Sequence, residues 1–590
     1  MEPTCTGLSQ MQVLMSLVTS LINAQTPSDL RSPSKIHDGD RYDFVIVGGG
    51  SAGCVLANRL SEVPQWSVLL LEAGGEEPFE ADVPGFFTYS WGTRMDWSYE
   101  GVPGVICGGL PCPIVRGKGL GGSSSINAML YFRGNKLDYD HWAQMGNEGW
   151  DFEHVLPYFK KSEHNLDPDV RKDTEYHGVD GYLSVGRFTF QGETVGRLTE
   201  AFKEIGYTEV DSNGKHQSGF MIAQMTQRNS LRQSTNRAFL EPILKRRPNL
   251  KIVTNVRVTK ILINESNMAY GVQYILEKNR HVGGKIFASR EVIVSAGVVN
   301  SPQLLMLSGI GPKEVLQPLS IPVMKDLKVG ENLQDHASTP GVFFTRPKHE
   351  KPQFSGTSIL MDILNYAEPK RHGPLTSTEL NQVVAYTNTK YSNSSIDYPD
   401  AMIFFLDLAA KTQSETDKVV FLPTVLRPKS RGKITINTTD PFSSPLIHQN
   451  YFSEPDDIKI HIDIFNVAKQ LAETYAMKNT GYVLNTTFLP TENDFKTGKN
   501  PLWRHPEFLS QFSIFHLCGT CKMGPDDDET AVVDPSLRVR GIGKLRVVDA
   551  SIMPYIVSGN INAPTIMVAE KGADLIKRYW GRAHDEIERA

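Results

Sequence analysis

Tyr42-Asp43-Phe44-Val45-Ile46-Val47 runs without a break into Gly48-Gly49-Gly50-Ser51-Ala52-Gly53. A run of β-forming residues thus meets a glycine loop, and Cys54 to Leu60 beyond it read as helix. Ser67 to Leu71 read as a second strand that ends at Glu72. The result is a β-α-β unit of about thirty residues. Gly48, Gly50 and Gly53 stand at the positions of G-x-G-x-x-G. The first permits a tight turn, the second lets main chain approach a pyrophosphate, and the third lets helix and strand pack closely. Ser51 and Ala52 open the helix, whose unpaired N–H groups and partial positive charge favour phosphate. Glu72 lies nineteen positions beyond Gly53, where a carboxylate can accept hydrogen bonds from ribose hydroxyls. The stretch predicts a dinucleotide cradle.

A second backbone-rich loop follows at Arg116-Gly117-Lys118-Gly119-Leu120-Gly121-Gly122-Ser123-Ser124-Ser125-Ile126-Asn127. Its small residues let main chain come close to a flat ring or a phosphate. Near the far end stand Phe515-His516-Leu517-Cys518-Gly519-Thr520, then Leu545-Arg546-Val547-Val548-Asp549-Ala550-Ser551, then Gly559-Asn560-Ile561-Asn562-Ala563-Pro564-Thr565. Lys544 to Val548 has a buried-strand pattern, and Pro564 to Trp580 reads as a helix with proline in its first turn. A neutral imidazole can take a proton near neutral pH, and an amide can orient what is being deprotonated. These stretches thus offer a base, His516, and a polar partner, Asn562, with Asn560 its nearby competitor.

These motifs together resemble the glucose–methanol–choline (GMC) oxidoreductase family. The loop ending at Asn127, with Ala128-Met129-Leu130-Tyr131-Phe132-Arg133-Gly134, resembles its first signature. Gly297-Val298-Val299-Asn300-Ser301-Pro302-Gln303-Leu304-Leu305-Met306-Leu307-Ser308-Gly309-Ile310-Gly311 resembles the second, with Val298 in place of the usual small or polar residue. The His516-to-Gly524 stretch is similar to the insect glucose-dehydrogenase-like branch, which includes sugar dehydrogenases, ecdysteroid oxidases and glandular alcohol oxidases. The resemblance implies FAD rather than NAD. Gly48, Gly50, Gly53 and Glu72 would hold its ADP half, and Gly121, Gly122, Ser123 and Asn127 would lie along the flavin. Val256 would meet the adenine through backbone, and Asp549 the ribityl–pyrophosphate region. Some relatives tether FAD through a histidine where this chain has Ile126, so non-covalent FAD is expected. The resemblance also implies that His516 and Asn562 form the catalytic pair. The implied reaction takes a hydroxyl proton onto His516 and passes the carbinol hydrogen as hydride to flavin N5, with oxygen or a quinone as final acceptor.

The 590 residues exceed one ordinary core, so two joined domains are expected. The fold class is α/β: a Rossmann-type FAD-binding domain interleaved with an α+β substrate domain on an antiparallel sheet. Residues 42–340 and 430–575 carry the family motifs, and 341–429 supply a substrate-domain segment, with 576–590 a tail. Val419 to Pro423 and Gly432 to Ile436 read as strands of the antiparallel sheet. Earlier segments of the chain can contribute to that domain. Trp91, Trp97 and Tyr99 follow the first β-α-β unit and can line a substrate entrance or serve only as packing.

A net charge of −5 and dispersed Lys and Arg give no pull towards nucleic acid. Val13 to Ile22 is a short apolar run, too short to span a membrane. It reads as a secretory signal over 1–24 followed by a linker over 25–41, or else as an amphipathic leader, since no Lys or Arg precedes it. Sequons at Asn264, Asn393, Asn437 and Asn485 permit glycosylation without arguing for secretion. Cys107 and Cys112 have a spacing that either closes a small disulfide loop or leaves two thiols. Cys518-Gly-Thr-Cys521 lacks a second ligand pair, which argues against zinc. The sequence leaves the alcohol and the oligomeric state open. Glucose competes with aromatic, terpenoid or steroid alcohols, while a flavin-retaining hydroxynitrile lyase and a non-catalytic binding protein are the other classes.

Overall fold

The computed structural model describes residues 35–347, 356–368, 370–378, 382–407, 416–505, 509 and 512–589. The leader and most of the linker lie outside the described residues. Two sheets organise the chain. The first runs in spatial order Leu250–Val253, Val68–Leu71, Arg41–Val47, Asn279–Val294, Ala269–Leu276, Val256–Ile263. Its centre is parallel: Phe44 to Val47 pair with Val68 to Leu71 on one side and with Glu291 to Val294 on the other. Leu545–Val547 adds a further parallel strand against Val292–Val294. Phe44, Val45, Ile46 and Val68 to Leu70 have no exposure at all, as expected of strands covered on both faces. The helices Ser51–Leu60 and Asn562–Arg589 cover one face together. Arg59 and Glu570 join them by a buried two-pronged pair at 2.8 Å.

The second sheet is antiparallel, in order Val483–Asn485, Val342–Pro347, Thr416–Val425, Ala401–Asp407, Val383–Thr387, Gly219–Ile222. Alternate residues face opposite ways along each strand. One face, with Phe344, Ile403, Phe405 and Phe421, packs on Leu198, Phe202, Ile464 and Phe465 of the helices Glu193–Glu204 and Pro455–Glu473. The other, with Met402, Phe404, Val420 and Leu422, turns towards Leu130 and Phe132 of the first domain.

The architecture is the α/β arrangement expected, with two local differences. Lys433–Thr435 does not join the large sheet; it forms its own ladder with Leu446–His448. The last helix begins at Asn562, two residues before the proline. In keeping with a contribution from earlier segments, the strand Gly219–Ile222, far upstream of residue 341, closes the edge of the substrate sheet.

Candidate active site

A cavity of about 640 Å³ runs between the two sheets. Gly48, Gly50, Ser51, Ala52, Glu72, Gly122, Ser123, Asn127, Val256, Asp549, His516 and Asn562 all line it. Gly53 and Gly121 do not, and their geometry says why. A Cβ at Gly53 would stand 1.8 Å from the Gly48 carbonyl oxygen, so this glycine exists for helix–strand contact. Gly121 has φ +84 and lies against Glu77 and Ser125, turning the loop from beneath. The two glycine loops touch backbone to backbone: Gly121 N–H donates to the Gly49 carbonyl at 2.8 Å. A Cβ on Gly122 would come within 2.6 Å of Gly50 Cα.

The Glu72 carboxylate accepts the N–H groups of Gly49 and Gly74, both at 2.7 Å, and burial raises its pKa. It therefore braces the loop while still facing the cavity. Val256 lines the cavity with its N–H already donated to the Glu72 carbonyl at 2.9 Å, so that N–H is not free for a ligand. Asp549 accepts from Gly297 N–H at 2.9 Å, Ser301 Oγ at 2.6 Å and Ser551 N–H at 2.8 Å. Its carboxylate thereby pins the first turn of Gly297–Leu307 at the cavity wall. The first turns of Ser51–Leu60 and Asn562–Arg589 reach the same cavity. Three helix N-termini converge there, and each favours negative charge.

The centre of the site is a buried pair of histidines. His516 Nδ1 lies 2.9 Å from His336 Nδ1, and His336 Nε2 lies 2.8 Å from the Leu426 carbonyl oxygen. A carbonyl only accepts, so His336 Nε2 carries a proton. Burial lowers the His336 pKa to about 4, so its Nδ1 is a bare lone pair at neutral pH. His516 Nδ1 must then be the donor, which leaves Nε2 of His516 as a lone pair on the cavity side. Burial first, then His336 and Arg116, hold the His516 pKa well below the usual histidine value. Its backbone is fixed too: His516 N–H donates to Asp335 Oδ1 at 2.8 Å. Phe515 before it sits at φ +61, with its N–H on Ser513 Oγ at 2.9 Å. That left-handed conformation is costly for a bulky residue, and the surrounding hydrogen bonds over-determine it.

Asn562 Oδ1 accepts from Ser51 Oγ at 2.8 Å, which leaves its amide N–H groups as donors. Asn560 also lines the cavity, and its buried Oδ1 has no partner. Ser295 Oγ and Arg116 Nε share that condition at the same wall. Buried polar atoms are ordinarily paired; three unpaired ones around one cavity fit a polar group such as FAD seated in it. Trp91 and Trp97 line the cavity at different places, whereas Tyr99 is core and accepts from Asn300 Nδ2 at 2.7 Å. Cys107 and Cys112 are bridged, and Cys518 and Cys521 are buried thiols whose pKa burial raises. Among the described residues no cluster of His, Cys, Asp or Glu could hold a metal ion. Nothing in the sequence marks His336, Asp335 or Arg116 as neighbours of His516; no spacing rule links positions so far apart, the nearest of them being 180 residues away.

A nucleotide cradle that opens onto a buried base defines a flavin-type oxidoreductase. The comparisons agree. Family models described as GMC oxidoreductase match residues 42–338 and 428–569. The chain is 40% identical to the glucose dehydrogenase [FAD, quinone] of Drosophila melanogaster, covering 98% of this chain and 94% of that one. It is 35% identical to the ecdysone oxidase of Bombyx mori over 97% and 87% of the two chains. Among solved structures, a formate oxidase superposes with a TM-score of 0.80 at 28% identity, covering 92% of this chain and 99% of the other. The chain belongs to the GMC oxidoreductase family, in its insect branch.

Proposed function

We propose that the protein is a secreted enzyme that oxidises the CH–OH group of a small alcohol to an aldehyde, ketone or lactone, with His516 as the base. The histidine pair carries this reading, because it presents an unprotonated Nε2 to a cavity that fits FAD. FAD, when bound, supplies the acceptor for the two electrons and the carbinol hydrogen. The chain supplies the rest. Asn562 N–H groups orient the alcohol oxygen, His516 Nε2 takes the hydroxyl proton, and His336 holds the ring while charge appears on it. Burial keeps His516 unprotonated through the neutral range, so the resting enzyme always holds a base. Ile126, which lines the cavity before Asn127, carries no nucleophile, and this supports non-covalent binding. Oxygen or a quinone serves as final acceptor.

Secretion is supported by the Cys107–Cys112 bridge, which suits an oxidising compartment. The four sequon asparagines, Asn264, Asn393, Asn437 and Asn485, are all exposed and so open to glycosylation. Among the described residues no helix is long and apolar enough to cross a membrane.

The test is anaerobic absorbance spectroscopy on the purified holoenzyme. An alcohol should bleach the flavin, and His516→Ala should keep FAD while slowing bleaching by roughly 10²–10⁴-fold. Unchanged bleaching in that variant would remove His516 from the mechanism.

A further inference from the structure

The wall opposite the flavin loop is made of carbon. Phe404 and Leu422 are register partners in adjacent antiparallel strands. Leu406 lies two residues beyond Phe404 and so shares its face. All three line the cavity. Across from them stand Leu130 and Phe515, with Trp91 edge-on to Phe515 at a centroid distance of 5.5 Å.

Among the described residues most polar atoms on this side are already engaged; the exceptions are Arg116 Nε and Asn560 Oδ1, matched above to FAD, and the Asn127 amide N–H groups, on the loop expected to lie along the flavin. Trp91 Nε1 donates to the Ile126 carbonyl at 3.2 Å. Ser513 Oγ donates to Asp335 Oδ2 at 2.6 Å and accepts from Phe515 N–H. Asn127 Oδ1 accepts from Arg232 at 2.8 Å and from Met129 N–H at 3.0 Å. His516 and Asn562 serve one hydroxyl, the one that reacts. Thr88, a further hydroxyl side chain lining the cavity, is also in contact with a neighbour.

We infer that the substrate is an apolar monoalcohol, with its single hydroxyl at His516 and an aromatic or isoprenoid body against Phe404, Leu406 and Leu422. The inference rests on the alcohol-oxidising reading above and narrows it. A sugar would bring several further hydroxyls to this wall. Against Phe404, Leu406 and Leu422 each would leave water without gaining a partner, at a cost of about tenfold or more in affinity. An apolar body instead gains by leaving water, and a wall of aromatic edges and branched aliphatics fills the space around it. The similarity in sequence to a glucose dehydrogenase does not oppose this. The shared motifs act on the reacting carbon and the cofactor, whereas Phe404, Leu406 and Leu422 lie between the two family-matched regions.

The experiment compares anaerobic flavin reduction of the holoenzyme by benzyl alcohol, geraniol and D-glucose. Oxidised enzyme is also titrated with benzaldehyde and with D-glucono-lactone, binding being followed by the flavin absorbance shift. An apolar alcohol should exceed glucose at least 100-fold in reduction rate per unit concentration, and benzaldehyde should bind while the lactone does not. Leu406→Asn, a half-buried position that tolerates a polar group, should raise the KM for the apolar alcohol about tenfold and leave the limiting reduction rate within twofold. Glucose reduction equal to or faster than the best apolar alcohol overturns the inference and leaves the catalytic reading standing. Flavin that dithionite bleaches but no alcohol reduces overturns both.

Discussion

His336 decides which nitrogen of His516 is basic. The carbonyl of Leu426 fixes a proton on His336 Nε2, and the remaining lone pair fixes the next proton on His516 Nδ1. His336→Leu removes the acceptor, so the ring of His516 loses both its tautomer and its orientation. The expected result is bound FAD with flavin reduction slowed about 10–100-fold. His336→Asn offers an oxygen near the same place and should recover most of the rate. The pH profile separates this from a structural effect. A base must be unprotonated to act, so rate is lost as pH falls through the pKa of His516. That pKa lies well below 6.5, so wild-type reduction should be level through the neutral range and fall only in acid. His336 is one cause of the depression, and its removal should move the acid limb up towards 6.5. An unmoved limb would count against the relay. His516 was legible in the sequence because its neighbours form a motif. His336 was not, because nothing local to Gln334-Asp335-His336 reveals a contact made across the fold.

At the scale of the elements, the three G-x-G-x-x-G glycines of the first loop divide their labour in a way that substitution can read. Gly53 meets the Gly48 carbonyl, and a methyl group there has no room. Gly53→Ala should cost about 3 kcal/mol or more and is expected to give insoluble or FAD-free protein. Gly50 is different: its φ is −83, and an added Cβ would meet only Gly122 Cα at 3.7 Å. Gly50→Ala should therefore fold with a melting temperature close to wild-type apoprotein, yet retain much less flavin, since its methyl group occupies the face offered to pyrophosphate. Flavin content and thermal melts of both variants check the contrast. Equal flavin retention by Gly50→Ala and wild type would contradict the cradle. The β-α-β unit itself was readable because its period switches from strand to helix and back within one window. The ladder of Lys433–Thr435 was not, since a short alternating run shows that a strand exists and not which neighbour it pairs with.

Across the whole molecule the chain passes repeatedly between the two sheets, with Gly219–Ile222 in the second and Leu250–Val294 back in the first, before Leu545–Val547 returns at the end. The interleaving was legible as a change in texture near residue 341; the early strand was not, because four residues carry no mark of the sheet they join. Such a fold unites distant buried groups in one stability, and His461 shows how. It sits on Pro455–Glu473 amid Phe452, Phe465 and Phe495, with Nε2 at 2.7 Å from Thr339 Oγ1. Its Nδ1 has no partner, and burial lowers its pKa to about 3. Below pH 6.5 the unfolded chain takes up a proton on this ring that the folded chain refuses. The stability this neutral ring contributes is therefore present above 6.5 and is lost as pH falls towards 3. Between pH 6.5 and 4 the loss is about 3 kcal/mol. Asp335 and Asp82 work in the opposite direction, because burial raises them to about 6 and about 7 and the folded state gains protons there. The wild-type curve alone thus mixes opposed slopes, and a difference isolates one. His461→Gln should be less stable than wild type at pH 7, and the gap should shrink by about 3 kcal/mol by pH 4. Denaturant unfolding of both holoenzymes at the two pH values measures it. A gap that stays constant would mean that His461 is already protonated, or already solvated, in the folded protein.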